Sequence, residues 1–141
     1  MLADISERCN TIEECYEFML AYAAQGLPGD EGGRSAGQIR EFLSRAVKAI
    51  SGLMESCAMA MKQERLEPPE RCQPFFAVLD RDARDSLAAI ELVLAQPTIS
   101  SQLIDNLNAS IHLRALLTDL FLISEIANTQ QRAAKPMASG A

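Results

Sequence analysis

Four polar residues near the carboxyl-terminal part of the chain have the types and spacing of a small chemical site. Asp105, Asn108, His112 and Asp119 follow one another at i, i+3, i+7 and i+14, so a continuous helix would present them as one narrow strip. His112 is the only histidine in the 141 residues. An imidazole ring changes charge near neutral pH, and a nearby carboxylate can orient it. The strip is therefore the candidate polar site, suited to a general base or a bound ligand.

The residues around His112 also have the order of a phosphotransfer motif. Residues 110–114, Ser-Ile-His-Leu-Arg, resemble the histidine box of sensor kinases and the histidine motif of phosphotransfer domains. Alignment on Leu113 and Arg114 puts the phosphorylated position of those families at Ile111 instead of His112. The resemblance implies a helical bundle that carries a phosphoryl group on histidine. A ligand-binding or histidine-phosphotransfer-like bundle that uses the polar strip is therefore the alternative function.

The polar strip lies in the most apolar segment of the sequence, residues 103–126, which is predicted to be a helix with two apolar ridges. Ile104, Leu107, Ile111 and Thr118 form one ridge. A helix that is apolar on several sides must be covered on several sides, by other helices or by a partner. The second ridge and its extension are the candidate interface, which consists of Leu113, Leu116, Leu117, Leu120, Phe121 and Ile123.

Start and stop signals predict three helices before this one. A capping box at Thr11 and Glu14 begins a helix over residues 12–25, which Gly26 and Pro28 end. A second helix, over residues 36–67, has the heptad spacing of a packed seam. A proline at its first position suits a third helix over residues 74–96. Ser100 can cap the fourth helix, over residues 101–127.

These elements predict an all-α fold, with the topology of an up-and-down four-helix bundle, because the connections are short and no segment alternates as a strand does. Residues 1–127 form the single predicted domain. Residues 128–141 contain almost no large apolar side chain and are predicted to be a disordered tail. Since the first helix is much shorter than the second, part of the second lacks cover within one chain. A homodimer would supply that cover.

Composition excludes several classes of partner. The net charge of −6 and the pI of about 4.8 argue against nucleic-acid binding, which begins with clustered lysine and arginine. No run of roughly 18 to 20 apolar residues is present, so a membrane-spanning helix is not expected. The first residues carry acidic side chains where a signal peptide has basic ones. A cytoplasmic location is the resulting expectation.

Metal and cofactor sites are not indicated. Di-iron bundles need two Glu-x-x-His motifs, whereas the single histidine here has Ala109 three residues before it. The four cysteines, Cys9, Cys15, Cys57 and Cys72, lack the close pairs of a zinc site. No Cys-x-x-Cys-His sequence for haem attachment occurs. We therefore expect no metal and no cofactor, and Cys9 and Cys72 are the thiols better placed to react.

The glycine-rich segment before the second predicted helix suggests a weak anion contact. Arg34 and Ser35 stand where free N–H groups of a helix start would also be available. The segment differs from a phosphate-binding loop, because Pro28 occupies the place of the first glycine, Arg34 that of the lysine, and no strand precedes it. Arg34 and Ser35 are thus a candidate for anion binding without nucleotide chemistry.

The sequence as a whole favours a non-catalytic, cytoplasmic helical-bundle protein that acts through protein–protein interaction. An adaptor, an assembly factor or a regulator fits this description, and a homodimer is the expected form. The reasons are the excess apolar surface of the last predicted helix and the lack of a complete catalytic set.

Overall fold

The computed structural model describes residues 2–31, 36–64 and 69–139, and within these ranges it contains helices and no strand. The prediction of an all-helical fold is confirmed. The number of helices differs, because six are present where four were predicted: α1 (Leu2–Ala24), α2 (Ala36–Ser51), α3 (Leu53–Glu64), α4 (Pro69–Leu94), α5 (Ser101–Ala109) and α6 (His112–Ser139).

The central helix is α1, which packs against α2, α3, α5 and α6. Its buried side chains recur every three or four residues and form one continuous face, made by Ile5, Cys9, Ile12, Cys15, Met19 and Tyr22. The helix starts well before the predicted capping box. Thr11 does not cap it, because its hydroxyl donates to the carbonyl of Glu7 within the helix. Gly26, at φ 67°, follows its end in the left-handed conformation that stops helices.

The predicted second helix is divided into α2 and α3 at Gly52. Its heptad seam is nevertheless buried as predicted, at Ile39, Leu43, Ala46, Ile50, Leu53, Cys57 and Ala60. Arg8 of α1 occupies the space beside Gly52, where its guanidinium donates to the carbonyl of Ala49 at 3.0 Å. A Cβ atom at Gly52 would lie 2.9 Å from the guanidinium nitrogens, so a side chain there would displace Arg8.

The predicted third helix begins earlier than expected, so that Pro74 lies inside α4. The start of the fourth is confirmed. Ser100 caps α5 by accepting a hydrogen bond from the amide of Leu103 at 3.0 Å, and Ile99 and Ile104 are both fully buried beside the cap. This helix ends at Ala109, after which α6 begins at His112. The chain remains helical through Ser139, where a disordered tail was predicted from residue 128.

Contacts between helix ends fix the direction of each helix. The end of α1 meets the start of α5, because Leu27 and Ser101 exchange backbone and side-chain hydrogen bonds. The start of α2 meets the end of α4, because Arg40 donates to the carbonyls of Leu94 and Gln96. At the other end, Ser6 of α1 and Asn128 of α6 line one groove. Hence α5 and α6 run antiparallel to both α1 and α4.

Candidate functional site

The structure does not bring the four residues of the candidate polar site together. Asp105 is exposed on α5 and lines a groove with Gly26 and Gln102 near the end of α1. Asp119 is buried on α6. The helical strip predicted to unite them is interrupted between Ala109 and His112, where α5 ends and α6 begins. The half-buried side chain of His112 makes no hydrogen bond or ion pair with the described residues.

The junction between α5 and α6 is strained. Ile111 has φ 61°, the left-handed region, and is the one non-glycine residue with positive φ in the part of the chain that the structure describes. For a β-branched residue this conformation is an outlier that costs about 1–2 kcal/mol. Ser110 closes the end of α5, since its hydroxyl donates to the carbonyl of Leu107 at 2.6 Å. The result is that Ile111 is held outward with 61% of its surface exposed.

Ile111 lies at one end of an open groove along α6. Arg114, Ala115, Thr118 and Asp119 line the remainder of this groove, whose volume is about 340 Å³. These positions belong to successive turns on one side of the helix. The groove therefore combines apolar, cationic and carboxyl groups on a single helix side.

The carboxyl of Asp119 forms a pair with the carboxyl of Asp82 on α4. Burial, together with the hydrogen bond and the negative charge of Asp82, raises the pKa of Asp119 to about 7. Asp119 is 9% exposed, and its Oδ2 atom has no hydrogen-bond partner among the described residues. Two carboxyl groups this close favour sharing one proton, so Asp119 carries a proton through the acidic range up to neutrality.

Two further buried side-chain atoms have no hydrogen-bond partner in the described part of the chain: the hydroxyl of Ser86 on α4 and the Oδ1 atom of Asn108 at the end of α5. Ser86 lies one turn after Asp82 and is 1% exposed. Buried polar groups usually have partners, and each one without a partner costs on the order of 1–3 kcal/mol. Ser86 on α4 and Asp119 on α6 thus each carry a buried polar atom that the described residues leave without a hydrogen bond.

Most of the candidate interface lies inside the molecule. Five of its six residues are between 0% and 7% exposed, namely Leu113, Leu116, Leu117, Leu120 and Ile123. They pack within the chain, so they offer no free surface. Phe121 is 48% exposed, and the other exposed apolar side chains of this region are Ile111, Leu122 and Ile126. The exposed apolar surface of α6 therefore lies away from the predicted interface ridge.

We call Ile111, Ala115, Leu122 and Ile126 the α6 stripe. Their exposed fractions are 61% for Ile111, 48% for Leu122 and 40% for Ile126, with Ala115 half-buried between them. The residues recur with the spacing of one helix side. Val78 and Leu92 are also exposed, and they lie fourteen residues apart on nearly one side of α4. Sequence reasoning missed the stripe because the more regular ridge beside it turned out to be the core.

The remaining candidates do not gather into a site. Arg34 and Ser35, the candidate anion contact, lie outside the described residues. Cys9 is 7% exposed, and burial raises the pKa of its thiol. Burial also raises the pKa of Cys15 to about 12 and that of Cys57 to about 11, so these thiols stay protonated at neutral pH. Cys72 is half-buried on α4.

In residues 2–31, 36–64 and 69–139, no group of three or more His, Cys, Asp or Glu side chains is arranged to hold a metal ion. Within the same ranges, no helix combines the length and apolar character needed to cross a membrane.

Comparison of the chain with protein-family models, with curated proteins and with solved structures found no match.

Proposed function

We propose that this chain is a non-catalytic protein-interaction module that works as a homodimer paired through the α6 stripe. The observation that supports the proposal is the outward position of Ile111, a β-branched residue with positive φ and 61% exposure. Strain of this kind persists only where surrounding structure maintains it, and it clusters at functional sites. Together with Leu122 and Ile126, Ile111 makes an apolar surface that extends over four turns of α6.

A second copy is the partner that the stripe fits best, because its spacing is symmetric. From Ile111 to Ile126 the intervals are four, seven and four residues, and the same intervals occur in the reverse direction. A two-fold dimer requires a surface that is complementary to itself. An antiparallel pair of α6 helices satisfies this requirement by placing Ile111 opposite the second copy's Ile126, and Ala115 opposite the second copy's Leu122.

Charges beside the stripe support the same pairing. Arg114 and Glu125 lie on one flank of it, at opposite ends, and both are exposed. In an antiparallel two-fold pair each flank faces the same flank of the other copy, so Arg114 lies within about two residues, roughly 3 Å along the helix, of the position opposite the second copy's Glu125. Glu125 already contacts Arg132 at 3.1 Å, but that pair is about two-thirds exposed and contributes little. Glu125 can therefore leave Arg132 and contact the second copy's Arg114 instead.

The role we propose is that of an adaptor, assembly factor or regulator in the cytoplasm. Cys9, Cys15 and Cys57 are buried thiols, which fits a reducing compartment. An interaction role is favoured over histidine chemistry because, among the described residues, Asp105, His112 and Asp119 do not converge on one space.

Sedimentation at micromolar concentration tests the proposal. The wild-type chain is expected to sediment as a dimer, and Leu122→Asp with Ile126→Asp is expected to give a folded monomer, because both side chains are already exposed. Leu20→Asp with Met59→Asp is the matched control, since these side chains are each 48% exposed and belong to α1 and α3. A wild-type monomer, or equal dissociation by both double variants, contradicts the proposal.

A further inference from the structure

The packing contact between α4 and α6, which we call the α4–α6 seam and which contains Asp82, Ser86 and Asp119, has a buried carboxyl that the proposed dimer contact does not use. Asp119 is 9% exposed, its Oδ2 atom has no partner among the described residues, and it lines the groove beside the α6 stripe. A carboxylate in such a place is costly unless it is protonated or paired with a cation. The charge state of Asp119 must therefore matter to anything that covers this groove.

The groups that face Asp119 offer it no positive charge. From α4, Asp82 hydrogen-bonds to it and repels its ionised form. From α6 itself, Arg114 lines the same groove but forms no ion pair with it in the structure. The other helices packed on α6 are α1 and α5, and their described residues present no charged group that influences Asp119. A proton is thus the positive charge available to it within one chain.

The antiparallel pairing of the α6 stripe brings two such carboxyls together. The symmetric spacing from Ile111 to Ile126 has its midpoint between Thr118 and Asp119. A two-fold axis at that point puts Asp119 of each copy on facing flanks, offset along the helix by only about 1.5 Å. Each Asp119 is accompanied by its own Asp82, so four carboxyl groups lie around the axis.

We propose that self-association of this chain is switched by proton binding at Asp119, with ionisation of this carboxyl separating the two copies. The inference rests on the proposed homodimer. When each Asp119 is protonated, the groups at the axis carry fewer negative charges and can hydrogen-bond to one another. When both are ionised, like charges are held close together in a partly desolvated groove, where repulsion is stronger than in water.

The pH at which association changes is expected to be near neutral. Burial and the adjacent Asp82 raise the pKa of Asp119 to about 7. The dimer is therefore favoured at pH 6 and disfavoured at pH 8. An ordinary exposed aspartate would produce no such difference, since it is ionised at both values.

Sedimentation at pH 6 and pH 8 tests the switch. For the wild-type chain the dissociation constant is expected to rise at least about tenfold between these values, the equivalent of 1.4 kcal/mol. Asp119→Asn keeps the shape without the charge, and it is expected to dimerise at pH 8 as tightly as the wild type does at pH 6. Far-ultraviolet circular dichroism at each pH verifies that every sample is folded.

Two controls separate this effect from other titrations. Asp105→Asn removes the same charge from an exposed position on α5 and should leave the pH dependence intact. His112→Gln should leave it intact as well, which matters because histidine commonly changes charge in this range. A dimer with equal affinity at both pH values overturns the switch while leaving the proposed function in place. A monomer at both values overturns the two together.

Discussion

Two regions of this molecule treat their buried polar groups in opposite ways. The first, which we call the end network, lies where α1 and α4 end and where α2 and α5 begin, and consists of Tyr22, Asp30, Arg40, Ile99 and Ser101. There every polar group has a partner. Asp30 binds the Arg40 guanidinium and accepts from the amide of Ile99, and the hydroxyl of Tyr22 donates to the carbonyl of Ile99 at 2.6 Å.

The second region, the α4–α6 seam, also contains buried polar side chains, but they lack the partners that those of the end network have. Asp119 faces another carboxyl instead of a guanidinium, and the buried hydroxyl of Ser86 has no partner among the described residues. Just before α6, Ile111 has a strained backbone. Unsatisfied groups lower stability, and proteins tolerate them chiefly where function requires it. The contrast indicates that the end network contributes more to stability than the seam does, and it is beside the seam that we place the proposed association.

The pH dependence of stability differs in sign between the two regions. Hydrogen bonds from Arg40 lower the pKa of Asp30, so its contribution is present above the unfolded value near 3.8 and is lost as pH falls. Burial raises the pKa of Asp119 to about 7, so its contribution is present at low pH and is lost as pH rises through 7. Stability should therefore be greatest in mildly acidic solution.

The largest expected effect comes from breaking the end network. Arg40→Ala should lower the free energy of unfolding by about 3 kcal/mol, because it leaves the carboxylate of Asp30, whose side chain is 7% exposed, without its cation. Urea unfolding at pH 7 measures the change. Arg114→Ala on the seam is the matched variant and should change stability by less than about 0.5 kcal/mol. Similar losses in both variants would show that the two regions do not differ.

Much of the fold was predictable because helical spacing determines which side of a helix is buried. The seam of α2 and α3 is buried at every predicted position, and Ser100 caps α5 as expected. The helix breaks at Gly52 and Ile111 were not predicted. Neither is set by local propensity alone, since the first accommodates Arg8 from another helix and the second contains no glycine or proline.

The candidate site was harder to predict, because it depends on pairs that are distant in sequence. Asp119 was identified as a candidate, but its partner Asp82 lies 37 positions earlier and only the packing of α4 on α6 brings them together. The position of Asp82 on its helix was one feature that could have indicated this pair. Asp82 stands between the buried residues Leu79 and Ser86 on α4, and a carboxyl beside a buried face often has a specific environment.

Replacing the seam carboxyl should stabilise the protein. Asp119→Asn removes a charge whose ionisation the folded state opposes, so its gain over the wild type should be about 2 kcal/mol greater at pH 8 than at pH 5. Urea unfolding at low protein concentration measures both values without a contribution from dimers. An equal difference at the two pH values would contradict the raised pKa.

Two buried serines give a closer comparison of the regions. Ser101, 3% exposed, accepts from the amide of Leu27 at 2.8 Å and donates to the carbonyl of Tyr22 at 2.6 Å. Ser101→Ala should therefore cost about 1.5 kcal/mol. Ser86→Ala removes a hydroxyl with no partner among the described residues, so it should be neutral or slightly stabilising. Thermal unfolding of both variants measures the two changes in stability. Equal losses would mean that the hydroxyl of Ser86 is hydrogen-bonded in solution.

A substitution at Ile111 separates the effect on stability from the effect on association most clearly. Asparagine adopts the left-handed conformation more readily than isoleucine, so Ile111→Asn should raise the free energy of unfolding by about 1 kcal/mol. The same change removes the most exposed apolar side chain of the α6 stripe, so the dimer should weaken. Thermal unfolding and sedimentation of one sample measure the two effects. A stabilised variant that dimerises as well as the wild type would show that Ile111 is strained for a reason other than association.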